Sequence, residues 1–127
     1  MTNILLAGSA IYNAADSATS LPVYFQLAPQ SQNPPFVEVS FVSGMDERTF
    51  TDKGLNCIYM VKVVSDRQFP LEAIQAYDDL HSILEDSAIT FNDYSLLRIR
   101  RESIIQYQDP ERFWHIGGNY NLEFWEN

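Results

Sequence analysis

The chain has a single cysteine, Cys57, and that scarcity excludes a disulfide framework and a cysteine-based metal site within it. Only two histidines, His81 and His115, are present. They leave few ways to build an imidazole-centred active site. No apolar run approaches the roughly 20 residues needed to span a bilayer, and the start, Met1-Thr2-Asn3, lacks the basic residues that open a secretory signal. The expectation is a protein with no membrane partner. Basic residues are also few: eight Lys and Arg stand against 17 Asp and Glu, for a formal charge of −9. Affinity for phosphate is built from Lys and Arg, so tight binding to nucleic acid is not expected. An acidic wall does, however, let DNA pass without gripping it.

What remains is ordinary for a folded domain. With 127 residues, 46% of them hydrophobic and 20% charged, one core is expected and whole-chain disorder is excluded. Residues 4–16 carry Ile4, Ala7, Ile11, Ala14 and Ala15 near helical spacing, interrupted by Gly8. Residues 17–35 turn polar and proline-rich, with room for a short edge strand at Val23-Tyr24-Phe25. From Phe36, the alternation of Val37, Val39 and Phe41 with Glu38 and Ser40 predicts a half-buried strand. Residues 43–54 are polar and predict a long, loosely held hairpin tip. Leu55 to Val64 is nearly continuous in apolarity, which suits a central strand.

Pro70 and Glu72 mark a helix start, after which Leu71, Ile74, Tyr77, Leu80 and Leu84 recur at helical spacing. Leu97, Ile99, Ile105 and Tyr107 share one strand parity; Trp114, Ile116, Tyr120, Leu122 and Phe124 share another, with a turn at Asp109-Pro110-Glu111. The predicted fold is α+β: a mainly antiparallel sheet of about four strands with a long β-hairpin, packed against two helices in one domain over 1–127.

No reactive constellation assembles from these residues. His81 and Glu85 fall one helical turn apart, but on the polar face of an amphipathic helix. Cys57 stands mid-strand, where a buried inert thiol is the usual case. The pair Gly117-Gly118 lacks the lysine and following helix of a phosphate loop and predicts a bulge or a close backbone approach. Arg98, Arg100, Arg101 and Arg112 form the only basic cluster, and arginine is enriched where acidic partners dock. Trp125 breaks parity with Phe124, so one of the two must face away from the core. The expected contact set is therefore Arg98, Arg100 and Arg101, the hairpin residues Asp46, Glu47, Arg48 and Phe50, and Trp125. No catalytic, cofactor-binding or metal residue is assigned.

Several segments taken in order resemble the small tail terminator, or tail-completion, proteins of long-tailed bacteriophages. They are Ala10-Ile11-Tyr12, Val23 to Gln30, Pro34 to Val37, the long hairpin, Met60 to Ser65, the helix from Ala73 to Leu84, and the closing strands that reach Gly117-Gly118-Asn119-Tyr120. The resemblance spans nearly the whole chain but rests on order and spacing, since none of its motifs holds a reactive group. It implies a non-enzymatic virion protein, assembled in the host cytoplasm, that forms a homo-hexameric ring. Such a ring caps the tail tube protein and meets a head-completion or connector protein, with DNA crossing its lumen unbound. A neck or head-completion connector subunit and a small dimeric α+β enzyme are the alternatives.

Overall fold

The computed structural model describes residues 3–25, 34–48, 53–66, 70–85, 90–91 and 94–126. The elements run α1 (Asn3–Ala18), β1 (Val23–Phe25), β2 (Phe36–Arg48), β3 (Lys53–Ser65), α2 (Leu71–Glu85), β4 (Thr90–Phe91), β5 (Tyr94–Gln108) and β6 (Trp114–Glu126). The sheet has six strands in the order β1-β2-β3-β6-β5-β4. Its four long members are antiparallel, as expected. The α+β class holds, but the strand count needs correction, because short β1 and β4 flank them, and the sheet is mixed, since β1 runs parallel to β2.

Central β3 owes its position to its composition. Leu55, Cys57, Tyr59, Val61 and Val63, all 2% exposed or less, form one row facing the helices. Across the ladder they meet Phe124, Leu122, Tyr120, Gly118 and Ile116 of β6. Period-2 alternation makes this one continuous apolar face, and α1 and α2 cover it. On the opposite face Lys62 and Glu38 stand cross-strand and form an ion pair of 3.6 Å with both side chains largely buried. Glu38, expected to be a solvent-facing residue of an alternating strand, is only 7% exposed. A carboxylate tolerates that burial when an ammonium lies beside it.

The helices follow the same logic. In α2 the buried residues are Ala73, Tyr77, Leu80 and Leu84, with Glu72, Asp78, Asp79 and Glu85 exposed. Pro70 supplies the first helical carbonyl, accepting from Ile74 at 2.9 Å. Leu71, expected on the apolar face, is 67% exposed, because Ala73 holds that row at the helix start. In α1, Ile11 and Ala15 are buried four residues apart. Gly8, which interrupts the helical pattern in sequence, is where α1 crosses the sheet closely: a Cβ there would lie 2.7 Å from the Phe25 ring and 2.9 Å from the Tyr59 hydroxyl.

The hairpin of β2 and β3 corrects a second expectation. Residues 43–48 are not a loose tip but continue the ladder, from Ser43 opposite Ile58 to Arg48 opposite Lys53. The shift in register between Phe41 and Ser43 re-aims the strand so that both segments pair.

Candidate functional site

The expected contact residues fall into three places. Arg98 and Arg100 stand on β5 opposite Glu123 and Asn121 of β6, on the sheet face away from the helices. Arg98 donates to Glu123 at 2.6 Å and Arg100 lies 3.7 Å from Glu102, yet both guanidinium side chains remain more than half exposed. Exposed pairs of this kind contribute little to stability.

Arg101 is in register with Tyr120 and belongs to the opposite, helix-covered face. Its guanidinium donates to the Tyr77 hydroxyl at 3.4 Å and lies 5.8 Å from that ring's centre. The hydrogen bond to Tyr77 raises its already high pKa. Arg101 thus ties the sheet to α2, separately from the other two.

Trp125 sits in register with Gly54 and Ser95, while adjacent Phe124 is fully buried in the core. Trp125 is the outward-facing member of the pair and lies half-buried against Gly54, where a Cβ would come within 3.1 Å of the indole. The backbone of Asp46, Glu47 and Arg48 lies in β2, whereas Phe50 and the side chains of 44–48 lie outside the described residues.

The residues weighed for chemistry have separate partners. The Cys57 thiol points to the Leu122 carbonyl at 3.9 Å, and burial pushes its pKa up to about 12, which keeps it a thiol. His115 Nε2 meets Asp109 Oδ2 at 2.8 Å, and its ring stacks on Tyr107 at 4.5 Å between centres. That contact, with backbone amides of Phe113 and Glu111, holds the Asp109 carboxyl below its usual range.

Sequence reasoning placed His81 on a solvated helix face and missed its role. His81 Nδ1 is 2.8 Å from the Tyr120 hydroxyl, which lies 2.6 Å from the Tyr77 hydroxyl; His81 Nε2 reaches Glu85 at 3.0 Å. Together with Arg101 these groups make one polar chain under α2. The available signal was the i,i+4 spacing of Tyr77, His81 and Glu85, which places all three along one helical row. The Gly117-Gly118 pair lies at the same place. Register along β3 and β6 runs through it unbroken, so it marks a close approach and not a bulge. A Cβ on Gly117 would collide with the Val61 carbonyl, and one on Gly118 would lie 2.6 Å from the Tyr77 hydroxyl and 2.8 Å from the Ser103 carbonyl. The shift in register is across the ladder in β5, between Arg101 and Ser103.

Among the described residues, no group of three or more His, Cys, Asp or Glu side chains is arranged to hold a metal ion. No helix among them is long and apolar enough to cross a membrane. Among the described residues, a concavity of about 150 Å³ is lined mainly by Leu21, Pro35, Val63, Ala73 and Ala76, with Ser65 and Glu72 at its polar side. It is small for a substrate site.

No family model and no curated protein matches the chain. Among solved structures, a chain from the virion of a native gene transfer agent particle is similar in fold. It has a TM-score of 0.72 at 14% identity, over 97% of this chain and 90% of that one. A second solved chain matches with a TM-score of 0.53 at 15% identity, over 98% of this chain and 94% of its own. At such identities the likeness is one of fold, and it extends over nearly the entire chain.

Proposed function

We propose that this chain is a virion structural protein of the tail-completion type. Copies of it form a hexameric ring that ends the tail tube and offers a surface to the head connector. The observation that carries the reading is the near-complete fold match to a chain of a phage-like particle. Two features of the molecule support it. The exposed arginines Arg98 and Arg100 provide charge for joints between otherwise acidic subunits, and the exposed face of α2, with Glu72, Asp78, Asp79 and Glu85, repels phosphate where DNA must pass.

The test is to add the purified protein to growing tail tubes of the cognate tube subunit. Tube lengths measured by electron microscopy should stop increasing once it is present, and the protein should label one end. Tubes that lengthen as before contradict the terminator role. Capture by the connector alone would assign the chain to the neck.

A further inference from the structure

The polar chain under α2 ends in two groups whose roles chemistry fixes. The Arg101 guanidinium carries only donors, so the Tyr77 oxygen accepts at their 3.4 Å contact. At the other end an ionised Glu85 carboxylate only accepts, so His81 Nε2, 3.0 Å away, carries a hydrogen and donates it. A neutral imidazole has a single N–H, and here Nε2 holds it. Nδ1 is then bare and accepts from the Tyr120 O–H at 2.8 Å. With its one hydrogen engaged there, Tyr120 can only accept at the 2.6 Å contact between the two hydroxyls, and Tyr77 donates. Each hydroxyl donates once and accepts once, and every bond runs the same way, from Arg101 towards Glu85.

The two ends of this chain lie in different surroundings. The Glu85 side chain is 55% exposed and the His81 side chain 14%. Tyr77 and Tyr120 are 2% and 1% exposed, so neither hydroxyl can turn to bulk water for a partner. The inner end is also where α2 crosses β6 most closely, since a Cβ on Gly118 would lie 2.6 Å from the Tyr77 hydroxyl. The titratable and charged groups that meet His81 are Tyr77 and Glu85 of its own helix and Tyr120 of β6, with Arg101 of β5 behind Tyr77. Among the described residues, α1 places no such group in hydrogen-bond or ion-pair contact with it.

A proton added to Nδ1 changes this order. The imidazolium donates from both nitrogens, so Nδ1–H points at the Tyr120 oxygen. The Tyr120 hydrogen must then turn to the Tyr77 oxygen, whose second lone pair can take it. The Tyr77 hydrogen is left with no acceptor in the chain, and a buried donor without an acceptor is costly.

We propose that the joint between α2 and β6 is a proton-operated latch: neutral His81 locks the two hydroxyls in series, and protonation of His81 reverses the Tyr77–Tyr120 bond and strands the Tyr77 O–H. The charge state of a ring near the surface is thereby read at the Gly118 crossing. The latch goes beyond the assembly role and does not depend on it.

The experiment is nuclear magnetic resonance of the full chain, labelled at the imidazole nitrogens, titrated through the histidine range. With the ring neutral, His81 should carry its hydrogen on Nε2, and a slowly exchanging Tyr120 hydroxyl proton should correlate with Nδ1. As the ring takes its proton, that correlation should vanish and exchange of the Tyr77 hydroxyl proton with water should quicken roughly tenfold or more. Arg101→Gln and Arg101→Met separate the latch from simple loss of charge. Both remove the guanidinium, but only Gln brings a carbonyl oxygen able to accept the stranded hydrogen. In acid the Tyr77 hydroxyl should therefore exchange fast in the Met variant and stay slow in the Gln variant. If circular dichroism shows that a variant does not fold, the wild-type titration decides alone. Four outcomes overturn the proposal: a neutral His81 with its hydrogen on Nδ1, hydroxyl exchange that ignores the ring's titration, a ring that stays neutral until the chain unfolds in acid, and folded Gln and Met variants that behave alike.

Discussion

At the scale of single residues, the most demanding positions are Gly117 and Gly118, where the β6 backbone passes against Val61, Lys62, Ser103 and the Tyr77 hydroxyl. Substituting Ala at either forces strands or α2 apart. Gly118→Ala is expected to lower the unfolding free energy by about 1–3 kcal/mol, and Gly117→Ala, whose methyl meets backbone, by more, both read from urea titrations. Tyr120→Phe removes the central hydroxyl of the polar chain and leaves Tyr77 and His81 each short of a partner, at a cost of about 1–3 kcal/mol in the same assay. A change below about 0.5 kcal/mol would mean that water replaces that hydroxyl without loss. Asp109 gives a pH signature. Its folded pKa is depressed, chiefly by its bond to His115, so its stabilisation is in place above the ordinary carboxylate range and is lost as pH falls through the depressed value. Melting temperatures of the wild type and Asp109→Asn should therefore differ at neutral pH and converge in acid. The glycine pair was legible only as a bulge or a close approach, because loss of the side chain within an alternating strand serves either, and the unbroken register with β3 decides for the close approach. His81 was not, because a polar residue on a helix reads as solvent-facing unless the tyrosine it meets, thirty-nine positions away, is known.

At the scale of elements, α2 and the central strands could be read directly, since their apolar periods are regular and each buries one face. β5 could not. Its register shifts between Leu96 and Arg98 and between Arg101 and Ser103 reverse the parity, so Ile99 lies opposite core Leu122 while Ile105 and Tyr107 lie opposite Gly117 and His115 on the other face. Neither shift is marked by a glycine, and a fixed period of 2 misassigns everything beyond it. The β2 and β3 hairpin was likewise misread as loose, because polar composition over 43–54 hides a ladder whose bonds are made by backbone. The buried pair Lys62 and Glu38 is the element-level device that fixes this register. Lys62→Met should cost about 3–5 kcal/mol by removing the ammonium beside the largely buried Glu38 carboxylate, and adding Glu38→Leu should recover much of that loss. Thermal melts of the wild type and the two variants would show whether the pair acts as a unit. Equal losses in the single and double variants would show that it does not.

At the scale of the whole molecule, exposed carboxylates run along α2, while on the far face of the sheet Arg98 and Arg100 pair with Glu123 and Glu102 and remain more than half exposed. A chain of charge −9 set beside copies of itself meets strong repulsion unless cations line the joint, and salt should relieve this. Reversal of Arg98 or Arg100 to Glu is expected to leave the monomer's melt nearly unchanged, because both side chains are exposed, while ring formation or tube capping falls steeply. Loss of folding in both would instead assign these residues to the strand itself. The α+β class, the four long antiparallel strands and the long hairpin were legible from pattern. The edge strand β1 was legible at Val23–Phe25 from the prolines around it, whereas β4, two residues long, leaves no period to read. Electron cryomicroscopy of isolated tails carrying this protein tests the proposed ring at the end of the tail. Density for a closed ring of this fold is expected at the head-proximal end of the tube. Tails whose ends lack it, or copies found elsewhere in the particle, would contradict the claim.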